Sequence, residues 1–193
     1  MQMLSEKVVT VLVFVFKAGI ASVFGHDLKL RAKSVTCMIN TAPDGSLSID
    51  AVVDARRIEV ECARSNGHDL PATTLSAADH QEIHRHLLFD VLHTDRFPEI
   101  HFSSTRVVKS EDRVDITGNL TMTGHTHQIH CRAMNVDGHF VTTFRINQPD
   151  YGIKPFSAAL GALRIKPELQ VEISVPATAF DTPDSAHEGR SPP

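Results

Sequence analysis

Alternation of apolar and polar residues runs through most of this chain and predicts β-strands, because successive side chains of a strand point to opposite faces. It is clear in residues 28–32, 47–53 and 140–146. Residues 34–54 hold two such stretches joined by the turn PDGS, which predicts a hairpin. About eight strands, each with one apolar face, predict an all-β, antiparallel barrel or a sandwich.

One segment departs from this two-residue period. Ser76 is a good N-cap with Asp79 three residues on, so residues 77–93 are predicted to form the one substantial helix. Its apolar residues recur at helical spacing, at Ile83, Leu87 and Val91. Such a helix packs its apolar side across a sheet or a barrel end, and we expect Glu82, His86 and His93 on the opposite side.

The apolar run VVTVLVFVF at residues 8–16 has two readings. It could be the core of a signal peptide, but Lys17 ends it and its β-branched and aromatic residues favour a strand. It is far shorter than the ~20 residues of a membrane-spanning helix. We therefore expect a strand and no membrane span.

The 193 residues are 41% hydrophobic and 22% charged, which is typical of one globular domain. We expect this domain at residues 1–180 and a disordered tail at 181–193, where apolar periodicity stops. The net charge of −4 and a pI near 6.3 argue against a nucleic-acid partner, because phosphate binding needs clustered Lys and Arg.

The 12 histidines raise the question of a metal. His80 and His84 have the i, i+4 spacing of a helical metal site, and His125 and His127 belong to the turn sequence GHTHQIH. The simpler interpretation is that His80 and His84 are solvent-exposed near the start of the helix and that His125 and His127 lie in a solvent-exposed turn. His130 is then expected to point outward. A His-rich protein that binds a metal or haem, which could also be an enzyme, remains the alternative function.

Catalytic signatures are missing from the sequence. It has no GxSxG elbow, phosphate loop or GxGxxG motif, and Cys37, Cys62 and Cys131 are too far apart for a CxxC pair. Free thiols in a reducing compartment are the simplest interpretation of these cysteines. Asp27 beside His26 is the most suggestive carboxylate, although a structural, loop-capping role is favoured.

Barrels of about eight strands either fill their interior with side chains or hold one small ligand. Several positions predicted to face inward are small or flexible, namely Ala51, Met122, Ala133 and Thr142. These leave room among Phe102, Phe140 and Phe144, so the pattern favours binding of an apolar ligand.

An ordered set of motifs resembles the YceI-like family of lipid-binding proteins. The set comprises the helix before FPEIHFSSTRV, the strand and turn TGNLTMTG, and the late strand FRINQPDYGI. With GHDL near residue 26 and the final strand, the resemblance covers residues 8–176.

The resemblance implies a lipocalin-like antiparallel β-barrel with a helix near one end and a long apolar cavity. It implies non-catalytic binding, transport or storage of an isoprenoid lipid, either a polyisoprenoid or a quinone, with no other cofactor and no catalytic residues. At matching positions, seven inward side chains are predicted to line the cavity: Phe102, Leu120, Met122, Ile129, Phe140, Phe144 and Ile146.

Two further expectations follow from departures from the family pattern. Many members are exported to the periplasm, but here the first strand begins close to Met1, so we expect a cytoplasmic protein unless the true start lies upstream. The histidine content exceeds the family pattern. Binding of a metal by these histidines, or a pH-dependent contact between them and the head group of the lipid, therefore stays open. The sequence also leaves open a homodimer, and a structural or stress-response dimer whose interior is simply packed.

Overall fold

The structure is a computed structural model that describes residues 2–5, 8–18, 26–158 and 163–181. Most of the predicted tail therefore lies outside the described residues. Fifteen strands fall within these ranges: β1 Gln2–Ser5, β2 Thr10–Val15, β3 Lys17–Ala18, β4 Asp27–Ala32, β5 Val35–Thr41, β6 Leu47–Asp54, β7 Ile58–Ser65, β8 His68–Asp69, β9 Glu99–Lys109, β10 Arg113–Met122, β11 His125–Val136, β12 His139–Asn147, β13 Ser157–Ala158, β14 Leu163–Ile165 and β15 Glu168–Pro176.

Among the described residues, twelve strands form one antiparallel sheet in the order β1-β5-β6-β9-β10-β11-β12-β15-β2-β4-β7-β8. Strands β13, β14 and β3 form a separate three-stranded sheet. The large sheet curls so that the inner faces of its strands surround one space, which confirms the predicted lipocalin-like architecture. The strand number exceeds the predicted eight because β7 and several strands of two to four residues were not recognised.

Helix α1 spans Ala77–His86, and Leu87–Val91 continue it as a turn of π-helix in which the Leu92 N–H donates to the Leu87 carbonyl. Ser76 and Asp79 form a reciprocal capping box at its start. His93 has a φ of +49°, a left-handed conformation with which the helical segment ends. The predicted 77–93 segment is therefore confirmed, with a change of helix type in its last turns.

Glycines within the sequence motifs lie where another motif residue packs closely. A Cβ on Gly118 would lie 2.4 Å from Cζ of Phe102, and one on Gly152 would lie 2.5 Å from Cε1 of His125. Gly124 has a φ of +79° and lies against the Phe97 ring. Gly118 and Gly124 thus join TGNLTMTG to FPEIHF, and Gly152 joins DYGI to His125, the residue that follows TGNLTMTG.

The first long strand is buried on both of its faces. Leu12 and Phe14 face away from the interior and are only 9% and 7% exposed. The Arg64 guanidinium lies 4.6 Å from the centre of the Phe14 ring. Neighbouring outer positions carry a network of ion pairs: Lys29–Glu61, Lys29–Asp69, Arg31–Glu61 and Arg64–Asp69. This two-sided burial explains why residues 8–16 form a continuous apolar run.

We predict that Gly118→Ala lowers the free energy of unfolding by about 1–3 kcal/mol, because the new methyl group would overlap the Phe102 ring and the Ser103 carbonyl. Urea unfolding followed by circular dichroism measures the change. Asn119→Ala, at the exposed next position, is the control and should change stability by less than about 0.5 kcal/mol. A stabilised Gly118→Ala variant, as expected for an unhindered strand glycine, would contradict this packing.

Candidate functional site

The main cavity is the interior of the curled sheet, with a volume of about 1020 Å³. Its wall is formed by apolar side chains from nearly every strand of the large sheet. On β2, Val11, Val13 and Val15 face the cavity, while Leu12 and Phe14 between them face outward. The wall thus consists of every second residue of each strand, namely the apolar residues whose side chains point inward.

All seven side chains predicted to line a cavity lie on this wall. Leu120, Met122, Phe140 and Ile146 are buried, and Phe102, Ile129 and Phe144 are partly open to the cavity. The small residues Ala51, Ala133 and Thr142 also lie on the wall. The structure therefore brings the predicted set together, and its role in holding a ligand stays a prediction.

The two ends of the cavity differ in chemistry. At one end, Ala177–Phe180 form a 3₁₀ turn whose Phe180 ring packs edge-on against Phe140, with ring centres 5.3 Å apart. The other end, here called the mouth, carries polar and charged side chains from α1, from residues 154–157, from β3 and from the residue before β4. Members of this polar set are Lys17, His26, Asp79, Glu82, His86, Asp90 and Lys154.

The helix corrects one expectation from the sequence. Glu82 and His86 were expected on the side opposite the apolar residues, but they line the mouth beside Ile83 and Leu87. The reason is that two stripes lie side by side on the helix. Polar residues recur at positions 79, 82, 86 and 90, and apolar residues at 83, 87 and 91. The mouth lies along the boundary between the two stripes. Both stripes can be read from the spacing of polar and apolar residues in the sequence.

His86 links the helix to the opposite side of the mouth. Its ring lies 4.7 Å from the centre of the Phe156 ring. Its Nδ1 is 2.5 Å from Oδ2 of Asp90, and its Nε2 is 3.6 Å from Oε1 of Glu82. Asp79, two turns before His86, accepts hydrogen bonds from Ser76 that hold the pKa of its carboxyl below the usual range. The Arg85 guanidinium also contacts this ring, with Nη2 3.0 Å from Nε2. The helix therefore presents carboxylates and a histidine with contacts of both charges at the mouth.

Two of the three cysteines lie on the cavity wall. Burial raises the pKa of the Cys37 thiol to about 11, and Asp50 contributes to the rise. Burial also raises the pKa of Cys131, and the neighbouring Thr142 hydroxyl lowers it by a smaller amount. Since the thiolate is the nucleophile, these shifts make both thiols poor nucleophiles at neutral pH. Cys62 lies outside the cavity wall, and none of the three forms a disulfide with another described residue.

Two of the four candidate metal histidines, His125 and His127, pack against residues of the late 3₁₀ turn and its flank. His125 packs on Gly152 and its Nδ1 lies 3.0 Å from the Thr123 carbonyl, while His127 packs edge-on against Tyr151. His80 and His84 do not line the cavity, and His130 contacts Thr117 on the outer face as expected. Within the described ranges, no group of three or more His, Cys, Asp or Glu side chains could hold a metal ion.

The GHDL motif contributes to the mouth in two ways. His26 lines it, and the Asp27 carboxylate accepts a hydrogen bond of 2.9 Å from the Lys17 backbone N–H. The contact joins the start of β4 to β3. It gives Asp27 the structural, capping role that the sequence favoured.

Fold and cavity together define a lipocalin-like antiparallel barrel with an apolar interior. A family model described as the YceI-like domain matches residues 9–177, and the chain belongs to this family. Protein YceI of Shigella flexneri is 40% identical over 62 residues, which cover 32% of this chain and 32% of that protein. Protein YceI of Escherichia coli O157:H7 gives the same values, so the alignment spans about a third of these curated relatives.

Solved structures with the same fold are more distant in sequence. Burkholderia cenocepacia BcnA has a TM-score of 0.60 at 11% identity, with 86% of this chain and 94% of that chain covered. A polyisoprenoid binding domain from Saccharophagus degradans, implicated in plant cell wall breakdown, has a TM-score of 0.56 at 13% identity, with coverage of 86% and 91%. At these identities the likeness shows the fold alone. Among the described helices, none has the length and apolar character needed to cross a membrane.

We predict that Cys37 reacts more than about 100-fold more slowly with a small alkylating reagent in the folded protein than in urea at pH 8. With a pKa of about 11, roughly one thiol in a thousand is ionised at that pH, against about a quarter for an unfolded cysteine. Mass spectrometry of digested samples measures each cysteine separately, with Cys62 as the internal control. Equal rates at Cys37 in the two states would show that the thiol is not on a dry cavity wall.

Proposed function

We propose that this protein is a non-catalytic binding protein that holds an isoprenoid lipid, a polyisoprenoid or an isoprenoid quinone, lengthwise in its cavity for transport or storage. The observation that carries the proposal is the continuous apolar cavity of about 1020 Å³. A long apolar chain is the ligand class that suits it, because every methylene inside exchanges water for apolar neighbours.

The energetics support this ligand class. Each buried methylene contributes ~0.8 kcal/mol, so ten would contribute ~8 kcal/mol before the cost of ordering the chain. A net free energy of that size corresponds to micromolar binding. Membership of the YceI-like family and the likeness to a domain described as polyisoprenoid binding also support the proposal.

The chemistry of the wall favours binding over catalysis. The Cys37 and Cys131 thiols are held neutral by burial, so neither is an activated nucleophile. The ionisable residues are concentrated at the mouth, whereas the interior wall is lined mainly by aliphatic and aromatic side chains. Such a wall fits an unreactive apolar chain and gives a polar head group the option of facing solvent.

We predict that Phe144→Glu weakens binding of a prenyl alcohol by more than tenfold, whereas Arg145→Glu changes it by less than twofold. Phe144 lies on the cavity wall, where an unpaired carboxylate is costly. Arg145 is the next residue of the same strand, faces outward and pairs with Glu168 at 3.1 Å. Native mass spectrometry of delipidated protein titrated with the alcohol gives the dissociation constants, and thermal unfolding confirms that each variant folds.

Two results would overturn the proposal. Wild-type protein that binds neither a prenyl alcohol nor a prenylated quinone would rule out an isoprenoid-binding function. Binding that is sensitive to Arg145→Glu and insensitive to Phe144→Glu would place the ligand outside the barrel.

A further inference from the structure

A large aromatic side chain is exposed at the rim of the mouth. Phe89 is 54% exposed and does not line the cavity, whereas Leu87, Asp90 and Val91 around it in the chain do. His86, which lines the mouth, is three residues before Phe89 and is therefore its neighbour on the helix surface. The Phe89 ring is thus presented to solvent directly beside the opening.

The other exposed large hydrophobic residues that the structure describes are far from the mouth. They lie at the last residues of β9 and β11 and before β2, namely at Val8, Val108, Met134 and Val136. These positions are near the 3₁₀ turn of the opposite end, because Val136 pairs with His139 and His139 pairs with Pro176. On β9, Lys109 donates a hydrogen bond to the last carbonyl of that turn. Within the described part of the chain, Phe89 is therefore the exposed large hydrophobic residue of the mouth.

A lipid in the cavity has its route of exchange at the mouth. At the opposite end, Phe180 is buried against Phe140, whereas Glu82 and Asp90 at the mouth are exposed to solvent. Each methylene that leaves the cavity for water costs about fourfold in the equilibrium, so ten cost on the order of a millionfold. Rapid exchange of such a lipid therefore requires an apolar phase that meets the mouth directly.

We propose that the rim of the mouth docks on a zwitterionic lipid bilayer, with the Phe89 ring inserted at the boundary between head groups and acyl chains. Aromatic side chains on a helix with a polar face lie at this depth in peripheral membrane proteins. The lipid passes between cavity and bilayer while the protein is docked. The inference rests on the proposed function, because the need for an apolar phase follows from an isoprenoid cargo.

The charges around the mouth favour a bilayer without net charge. Two lysines and three carboxylates line the mouth, and Arg85, one turn before Phe89, adds a third positive charge. Binding to anionic membranes uses clusters of several Lys and Arg without such compensation. Docking therefore depends on the apolar contact of Phe89, and we expect it to be nearly independent of salt concentration.

A fluorescence experiment tests the docking surface in protein without cargo. The chain contains no tryptophan, so Phe89→Trp places one fluorophore at the rim. Its emission should shift to shorter wavelength when phosphatidylcholine vesicles are added, because the indole leaves water. Val136→Trp, at an equally exposed position of the opposite end, is the matched control and should show no shift.

Two results of this experiment would overturn the docking surface. One is a Phe89→Trp emission that vesicles leave unchanged. The other is a shift that appears on raising the protein concentration without vesicles, since a second copy of the chain would then cover Phe89.

Transfer kinetics test the exchange itself. Protein loaded with a radiolabelled prenyl alcohol is mixed with phosphatidylcholine vesicles, and flotation separates the two. We expect the transfer rate to rise in proportion to vesicle concentration, whereas release through water would give a rate that is independent of it.

Phe89→Ser should lower the transfer rate by roughly 4- to 12-fold, the range for moving the exposed half of a phenylalanine side chain out of water. Val136→Ser should change this rate by less than twofold. The dissociation constant of the alcohol should change by less than twofold in both variants, because neither side chain lines the cavity. Thermal unfolding confirms that each variant folds.

A transfer rate that does not depend on vesicle concentration, or Phe89→Ser protein that transfers as fast as wild type, would contradict exchange through this surface. If wild-type protein binds no isoprenoid, the proposed function fails. The tryptophan experiment needs no cargo, so it decides separately whether the rim of the mouth docks on a bilayer.

Discussion

The inward-facing side chains of this barrel are too small to fill it. Protein interiors are normally close-packed, with few voids larger than a water molecule. Here valine, alanine and threonine occupy wall positions such as Val11, Ala51 and Thr142, and a cavity of about 1020 Å³ remains. A void of that size loses dispersion contacts along its whole surface, and an apolar chain would restore them.

An open interior requires the wall itself to be held firmly, and the structure shows how. Outside, Arg64 covers the Phe14 ring, and Leu12 and Phe14 are both buried, so β2 is packed on both faces. Inside the wall, Gly118 and Gly152 allow Phe102 and His125 to approach the backbone closely. The residues by which the family is recognised are therefore mainly packing contacts of the wall, rather than a constellation of reactive groups.

Strand periodicity predicted much of this arrangement because it reports which side of a sheet each residue faces. It placed Phe144 inward and Arg145 outward, and the helix at residues 77–93 was predicted from its N-cap and from the helical spacing of its apolar residues. It missed β7, where a bulge at Glu61, opposite Lys29 and Leu30 of β4, breaks the two-residue period, so that Ala63 pairs with the inward Leu28 and Cys62 pairs with the outward Lys29. The mouth was missed because a polar helix stripe is ordinarily solvated, and only tertiary packing brings this one to the cavity.

The central claim is that an isoprenoid chain occupies the cavity along its length. A crystal structure of protein purified without detergent, with the lipid extracted from the same preparation identified by mass spectrometry, tests it most directly. We predict continuous electron density for one linear chain with regularly spaced methyl groups, running from the mouth at Phe156 to the opposite end at Phe140. A cavity that is collapsed, or that contains only water in protein whose extract holds no isoprenoid, would contradict it.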